Sequence, residues 1–429
     1  MFESLVNEGY LISRPRSGYY LHPDYHEASP AAVESAPQRE AAAPRWGDRL
    51  QMTPSQQESI LKPARWMHYR YPFIYGQPDT RQFPLATWRS AANWLHGGVR
   101  DPAWVIDHID QDVPMLIEQI RTRVLPKRGI VAAPDEILIT LGSQNALYLL
   151  TRLLLSSTTR IGVENPCFRE AINTFLLADA EVVPHPVDEE GIVLNERPCD
   201  YYYVTPGHQV PTGVTMSSAR RRQLLEHAAR HDAVIIEDDY DSESNFTLNP
   251  LPALKASDRS GRVVYVSSLS KALSPGLRLG FMVADPDLID EARALRRLVY
   301  RHPPTNIQYQ MAHFLAQGHY ETHLRRYHYD SAQRWERLHA ALQRYLPSCR
   351  ALAGSEHANA FWLQTPAQIN TQQLTWRAAH AGVLIEPGAR HFLNAAPPDN
   401  YFRMGFHAIN PDAIAQGVEV LRGQLEQMG

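Results

Sequence analysis

The chain has 429 residues, 44% of them apolar, and a formal net charge of −4. This length favours two or three domains with a sizeable buried core. The near-neutral charge gives no general attraction to nucleic acid or to an acidic membrane surface. It therefore excludes the class of proteins that bind these partners through a large net positive charge.

The cysteines and the apolar runs indicate the compartment. Cys167, Cys199 and Cys349 cannot all pair and share no metal-ligand spacing, which is typical of reduced thiols in the cytoplasm. No apolar run reaches the ~18–20 residues needed to span a bilayer, and the sequence does not begin with a signal segment. We therefore expect a cytoplasmic protein with no membrane partner and no metal site.

The first 46 residues differ in composition from the rest. Residues 1–21 predict the end of a helix, a strand, a turn at Ser17-Gly18 and a second strand. Residues 22–46 are rich in Pro, Ala and Glu, and burying them would not offset the loss of chain entropy. We interpret them as a linker that leads into a continuously globular part, 47–429.

Short apolar runs alternate with helical patterns in this globular part. The candidate strands are EILITLGS (136–143), CDYYYVTP (199–206), DAVIIEDD (232–239), GRVVYVSS (261–268) and GFMVAD (280–285). An apolar helix follows the first strand at 144–157, and an amphipathic helix at 217–231 separates the second from the third. This alternation predicts βαβ units, a mostly parallel sheet and an α/β fold. From about residue 320 the sequence predicts a long polar helix followed by strand and helix pieces.

Two polar residues follow neighbouring predicted strands. Asp238 ends one strand, and Lys271 comes directly after the next. Open α/β sheets bind ligands outside the carboxyl ends of their strands, so this carboxylate and this amine meet if the two strands are adjacent. Desolvation in such a crevice lowers the pKa of a lysine and makes it a better nucleophile, suited to an imine with an aldehyde cofactor.

Pyridoxal phosphate requires an imine lysine, an acid beside its ring nitrogen, a phosphate-binding cup and a group over the ring. Asp238 is a candidate for the acid and Tyr240 for a hydrogen bond to the ring's phenolic oxygen. The candidates for the phosphate are Ser143 and Gln144 at a helix start, with Ser268, Ser270 and Arg278. Phe168 is a candidate to cover the ring. Each residue alone also fits a cap, a surface ion pair or the core, and only their order along the chain predicts a cofactor site.

The stretches "YVTPGHQVPTG", "EDDYDSE" and "SSLSKALSPGLRLGF" resemble the aminotransferase-like body of the MocR-type regulators. In that family a GntR-like winged helix is fused to a fold-type I, pyridoxal-phosphate-binding aminotransferase domain. The resemblance covers residues 47–429 and implies a cofactor-binding large domain at about 75–305. It also implies a small domain, formed by about 306–429 with 47–74, and a homodimer.

The resemblance also assigns roles to single residues. It implies that Lys271 is the imine lysine, Asp238 the pyridinium partner, Tyr240 the ring-oxygen partner, Arg278 a phosphate ligand and Arg403 the arginine that binds a ligand carboxylate. A guanidinium suits that last task because it binds a carboxylate with two parallel hydrogen bonds. Val210 replaces the asparagine that holds the ring oxygen in classical aminotransferases, and His208 or Gln209 is a candidate to compensate.

Residues 1–21 resemble the tail of a recognition helix and the β-wing of a GntR-like module, with Arg14 and Arg16 on the wing. Base readout needs the helix that enters the major groove, and most of that module is missing from this sequence. We therefore expect DNA binding only where an intact helix-turn-helix is present.

The sequence thus predicts the effector-sensing and oligomerisation body of a MocR-type transcriptional regulator. Its expected ligand resembles an amino acid, forms an external aldimine in place of Lys271 and places its carboxylate on Arg403. One alternative is a freestanding aminotransferase that acts on an amino acid and a 2-oxo acid, which steady turnover would reveal. A third possibility, an interaction scaffold without a cofactor, leaves the ordered set of site residues unexplained.

Overall fold

The computed structural model describes residues 2–7, 10–14, 17–22, 45–60, 62–98, 103–107, 110–244, 251–351 and 358–428. These residues form two units, Met1–Thr53 and Pro54–Gly429. Arg16 and most of the predicted linker lie outside the described residues. The predicted boundaries of the wing, the linker and the two aminotransferase domains stay predictions.

The first unit contains the elements that the sequence predicts for the N-terminal 21 residues. Helix α1 (Phe2–Asn7) precedes strands β1 (Leu11–Arg14) and β2 (Gly18–Leu21), which pair antiparallel. Gly18 has a φ of 102°, a value that an L side chain rarely adopts, and so suits the turn between the strands. Arg14 is exposed at the end of β1.

The second unit has ten helices and fourteen strands among its described residues. The helices are α2 (Leu85–Gly98), α3 (Pro114–Gln119), α4 (Ser143–Leu154), α5 (Arg169–Leu176), α6 (Ser218–Arg230), α7 (Pro286–Tyr300), α8 (Thr305–Ala316), α9 (His319–Tyr345), α10 (Thr371–His380) and α11 (Ile414–Glu426). The strands are β3 (Tyr71–Pro72), β4 (Ile137–Thr140), β5 (Arg160–Asn165), β6 (Glu181–Asp188), β7 (Gly191–Ile192), β8 (Tyr201–Val204), β9 (Val234–Asp239), β10 (Val263–Ser268), β11 (Gly280–Val283), β12 (Arg350–Ala351), β13 (Ala360–Gln364), β14 (Val383–Leu384), β15 (Glu386–Pro387) and β16 (Tyr401–Gly405).

Eight of these strands form the main sheet, in the order β4-β11-β10-β9-β8-β5-β6-β7. The five strands from β10 to β6 are parallel to one another, as expected for βαβ units. Strand β11 runs antiparallel to both β10 and β4. The connection at 269–279 is too short for the crossover that a parallel pair needs, which explains this departure from a purely parallel sheet.

Both faces of the main sheet are buried, because successive side chains of a strand point to opposite faces. On β10, Val266 packs with apolar residues of α4, α5 and α7, whereas Tyr265 packs on the other face with residues of α3 and α8. The fold class predicted from the sequence, α/β with a largely parallel sheet and flanking helices, is confirmed.

A smaller antiparallel sheet, β12-β13-β16-β15, lies in the C-terminal part, and β14 pairs with β3. Helix α9 is the long polar helix predicted near residue 320. Its first half packs with the core beside the main sheet through Leu324, and its second half packs with the C-terminal core through Leu338. None of the helices in the described part of the chain is both long and apolar enough to cross a bilayer.

Candidate functional site

A cavity of about 310 Å³ opens where β9 and β10 end. These two strands are parallel neighbours, with Val266 opposite Asp238, so the adjacency expected from the sequence is confirmed. The predicted site residues that line the cavity are Ser143, Gln144, Phe168, Asp238, Tyr240, Ser268, Ser270, Lys271, Arg278 and Arg403. The structure therefore brings residues from six separate stretches of sequence to one place.

Asp238 is a buried carboxylate with one oxygen left for a ligand. Its side chain is 2% exposed, and Tyr203 Oη donates a hydrogen bond to Oδ2 at 2.8 Å. Oδ1 is buried and has no hydrogen-bond partner in the described part of the chain. Burial raises the pKa of Asp238 to about 7. Such an oxygen needs a donor, and the N–H of a protonated pyridine ring is a suitable one.

Lys271 reaches the same cavity from the loop after β10. Its Nζ donates a hydrogen bond to Tyr75 Oη at 2.6 Å and lies 4.0 Å from the centroid of the Tyr240 ring. Burial lowers the pKa of Lys271 to about 8, even though the carboxylate of Asp241 acts in the opposite direction. Roughly a tenth of this amine is therefore uncharged, and nucleophilic, at pH 7, far more than for an ordinary lysine.

Tyr240 and His208 are in contact, but only Tyr240 lines the cavity. Tyr240 Oη donates to the backbone carbonyl of His208 at 3.0 Å. The imidazole of His208 lies 3.3 Å from the side-chain amide of Asn359, measured from Nδ1 to Nδ2. Thus the carbonyl of His208, and not its ring, positions Tyr240, and a direct contact between that ring and a cofactor stays a prediction. Val210 lines the cavity.

One end of the cavity has the features of an anion cup. Ser143 begins helix α4, so the backbone N–H groups of the first turn are available to an anion. The preceding Gly142 has a φ of 87°, and a Cβ there would lie 2.8 Å from Nη2 of Arg278. That nitrogen donates to the Leu141 carbonyl at 2.9 Å, which holds the guanidinium against the helix start.

Ser268 and Ser270, the two serines that the loop after β10 brings to this cup, are not equivalent. Ser270 Oγ donates to the Leu279 carbonyl at 2.9 Å and accepts from the Leu279 N–H at 2.7 Å, so this hydroxyl closes the loop. Among the residues described, the one hydrogen bond of Ser268 Oγ is a 3.3 Å bond that it accepts from the Ser270 N–H. The hydroxyl hydrogen of Ser268 is therefore the better donor for a ligand.

The other end of the cavity contains a shielded arginine. Nη2 of Arg403, on β16, lies 2.7 Å from Oε1 of Glu386, and its guanidinium lies 4.1 Å from the ring centroid of Tyr75. His391 Nε2 contacts the same Glu386 oxygen at 2.9 Å. Although burial opposes ionisation, Arg403 and His391 hold the pKa of Glu386 at about 2. Nε of Arg403 is buried and has no partner among the residues described.

Sequence reasoning missed several residues of this second end. Ile60, Lys62, Tyr75, Glu170 and Glu386 all line the cavity. Only Glu386 carried a signal, because it follows three apolar residues and precedes Pro387-Gly388, as a residue at a strand end does. Lys62 and Tyr75 lie in irregular segments, whose sequences show no helix or strand periodicity from which a position could be predicted.

Comparison with known proteins gives consistent matches. Residues 110–420 match the family model "Aminotransferase class I and II". The HTH-type transcriptional regulator TauR of Rhodobacter capsulatus is 37% identical over 97% of this chain and 86% of its own length. The probable rhizopine catabolism regulatory protein MocR of Rhizobium meliloti is 32% identical over 98% of this chain and 84% of its own.

A similar solved structure is that of LysN, an α-aminoadipate aminotransferase from Thermus thermophilus. It is 25% identical, has a TM-score of 0.79 and covers 89% of this chain and 98% of its own. That protein was solved in complex with N-(5'-phosphopyridoxyl)-L-leucine.

Proposed function

Because this chain belongs to the aminotransferase class I and II family and, within it, to the MocR-type regulators, we propose that its cavity senses an amino acid or a related amine. The cofactor of the family fold is pyridoxal phosphate. The observation that carries the proposal is the juxtaposition of Lys271 with a buried Asp238 whose Oδ1 has no partner in the described structure.

Each part of the cofactor has a proposed partner in the cavity. Lys271 holds the aldehyde carbon, and Asp238 accepts a hydrogen bond from the ring N–H. Burial raises the pKa of Asp238, but a positively charged ring beside it lowers that pKa again and so keeps the carboxylate ionised. Tyr240 faces the phenolic oxygen, and Phe168 covers the ring. The phosphate lies in the cup formed by Ser143, Gln144, Ser268 and Arg278. When bound, the cofactor supplies a carbonyl carbon that exchanges amines and a ring that withdraws electrons.

The ligand is proposed to be an amine that also carries an anionic group. Its amine approaches Lys271, and its carboxylate accepts hydrogen bonds from Arg403, whose Nε has no partner in the described part of the chain. Glu386 already neutralises much of the charge on Arg403 at 2.7 Å. Lys62 lines the same cavity and makes no ion pair with any described residue, so it supplies the further positive charge that an anionic ligand needs.

We further propose that the ligand signal is passed on within a homodimer, which binds DNA where an intact helix-turn-helix is present. Three relatives that match nearly the whole chain are named as transcriptional regulators or regulatory proteins. The exposed Arg14 on β1 is a candidate for contact with phosphate groups of DNA. Steady turnover of an amino donor with a 2-oxo acid would instead favour an aminotransferase, the second candidate, which the solved relatives of this fold support.

The test is a near-ultraviolet and visible absorption scan of cofactor-loaded protein during titration with a panel of amino acids. We expect wild type to show an imine band that shifts with the correct amine, and Lys271→Ala to show none. Lys255→Ala is the matched control, because Lys255 donates to the Val263 carbonyl and does not line the cavity. An imine band retained in Lys271→Ala would contradict the proposal.

A further inference from the structure

Tyr75 connects the two ends of the cavity. Its hydroxyl accepts the 2.6 Å hydrogen bond from Nζ of Lys271, and its ring lies under the guanidinium of Arg403 at 4.1 Å. It comes from the irregular segment after β3, far in sequence from both partners. One side chain thus touches both the amine that holds the cofactor and the arginine proposed for the ligand anion.

The hydroxyl of Tyr75 has a defined direction. It donates its single hydrogen to Oδ2 of Asp241 at 3.0 Å, so its lone pairs are available to accept a hydrogen bond from Lys271. Asp241 is 4% exposed, and Nδ2 of Asn359 donates to the same oxygen at 2.5 Å. The hydrogen bond from Asn359 therefore orients the carboxylate of Asp241. That carboxylate in turn orients the hydroxyl of Tyr75, which accepts the hydrogen bond from Lys271.

The charges around Nζ of Lys271 favour this position for a protonated amine. Asp241 attracts it most strongly among the charged groups, and Asp238 also attracts it, whereas Arg403 and Lys62 repel it. The centroid of the Tyr240 ring lies 4.0 Å from Nζ and adds a cation–π contribution.

We propose that Tyr75 and Asp241 form a holding site for the free amine of Lys271, occupied once a ligand amine has replaced the lysine on the bound aldehyde. This inference rests on the proposed function. In that exchange a carbon–nitrogen bond to the ligand forms as the one to Lys271 breaks. The ligand's nitrogen arrives as an ammonium and gives up two protons, and the nitrogen of the released Lys271 takes up two and becomes an ammonium, so the charge is unchanged and no oxidant or reductant is involved.

The holding site affects two equilibria, exchange of Lys271 for a ligand amine and capture of the cofactor by Lys271, in opposite directions. The bond between Tyr75 and Lys271 exists only while the lysine is free, so it favours ligand exchange and opposes capture of the cofactor. A hydrogen bond that involves a charged group changes such an equilibrium by roughly tenfold or more. Tyr75 is thus a positioning residue that makes Lys271 easier to displace by a ligand.

The decisive variant is Tyr75→Phe, which keeps the ring against Arg403 and removes only the hydroxyl. We expect the apparent dissociation constant of the exchanging amine to rise roughly tenfold, while cofactor retention stays equal or becomes tighter. Tyr202→Phe is the matched control, because Tyr202 is buried and its hydroxyl contacts His227 at 2.8 Å, away from the cavity. Equal weakening of both equilibria in Tyr75→Phe would indicate a damaged fold and overturn the inference.

A second measurement needs neither cofactor nor ligand. The pH dependence of acylation of Lys271 in cofactor-free protein, followed by peptide mass spectrometry, reports the pKa of this amine. We expect Asp241→Asn to lower that pKa more than Tyr75→Phe does, because it removes a negative charge and not only an acceptor. An unchanged pKa in both variants overturns the holding site. A wild type without any imine band overturns the proposed function itself, so the two failures are distinct.

Discussion

The two ends of the cavity differ in how they are built. The cofactor end comes largely from residues at or shortly after the carboxyl ends of strands of the main sheet, such as Asp238 near the end of β9 and Lys271 in the loop after β10. The ligand end comes from the smaller sheet, through Arg403 and Glu386, and from two irregular segments that carry Lys62 and Tyr75. The main sheet thus positions the groups proposed for the cofactor, while the smaller sheet and the irregular segments position those proposed for the ligand.

The largest expected effect is a loss of cofactor affinity when the cofactor end is changed at Asp238. Asp238→Asn replaces a charged acceptor by a neutral amide in a buried site, so we expect cofactor affinity to fall roughly 100-fold. Titration of cofactor-free protein with pyridoxal phosphate measures it. Asp135→Asn is the control, since Asp135 is exposed and does not line the cavity. Unchanged affinity in Asp238→Asn would mean that this carboxylate does not face the ring.

Arg403→Lys tests the ligand end. The lysine keeps the charge but loses the planar pair of donors, so we expect a roughly 10- to 100-fold weaker response to the exchanging amine. The imine band of the cofactor should persist. The measurement is the shift of that band against amine concentration, and a loss of the band itself would show that the two ends do not act separately.

The buried pair of Arg403 and Glu386 also predicts a dependence of stability on pH. The pKa of Glu386 is about 2 in the folded chain, below its ordinary value of 4.5. The stabilisation from this group is therefore full above pH ~4.5 and is lost as the pH falls toward ~2, and it amounts to about 3 kcal/mol.

The free energy of unfolding, measured against pH by chemical denaturation, checks this prediction. In Glu386→Gln the part of the acid dependence due to this carboxyl should disappear, because an amide does not titrate. An identical acid dependence in wild type and in the variant would contradict the assignment of this group.

The smallest expected effect belongs to Lys62. Its removal in Lys62→Ala takes away one cation that makes no fixed ion pair among the described residues, so we expect a ligand response only about threefold weaker. The effect should shrink at high salt, because screening weakens long-range attraction. Lys127→Ala, which removes an ion pair with Glu321 elsewhere, is the control. A larger loss than that of Arg403→Lys would reverse the proposed roles.

Much of the cofactor end could be predicted from the sequence. Apolar runs ending at Asp238 and shortly before Lys271 are local signals, and the crossover between the two strands implies that their ends meet. Strands β5 and β6 escaped notice because Arg160–Asn165 is partly polar and Glu181–Asp188 contains two prolines. The antiparallel direction of β11 follows from the short loop at 269–279, and the apolar pattern of the strand itself gives no signal for it.

The ligand end could not be predicted in the same way. Tyr75 lies 196 residues before Lys271, and only packing of the irregular segment after β3 brings its hydroxyl to the amine. The partner of Arg403 is equally hidden, since Glu386 meets it through antiparallel pairing of β15 with β16. Periodicity locates elements, but it does not report which turns face each other across a cavity.

The central claim is that one amine, that of Lys271, holds the cofactor's aldehyde carbon. Borohydride reduction of the loaded protein, followed by digestion and peptide mass spectrometry, tests it directly because reduction makes the imine bond permanent. We expect a single pyridoxyl-phosphate adduct, on Lys271. An adduct mainly on Lys62 or Lys255, or none in protein that has bound the cofactor, would contradict the account.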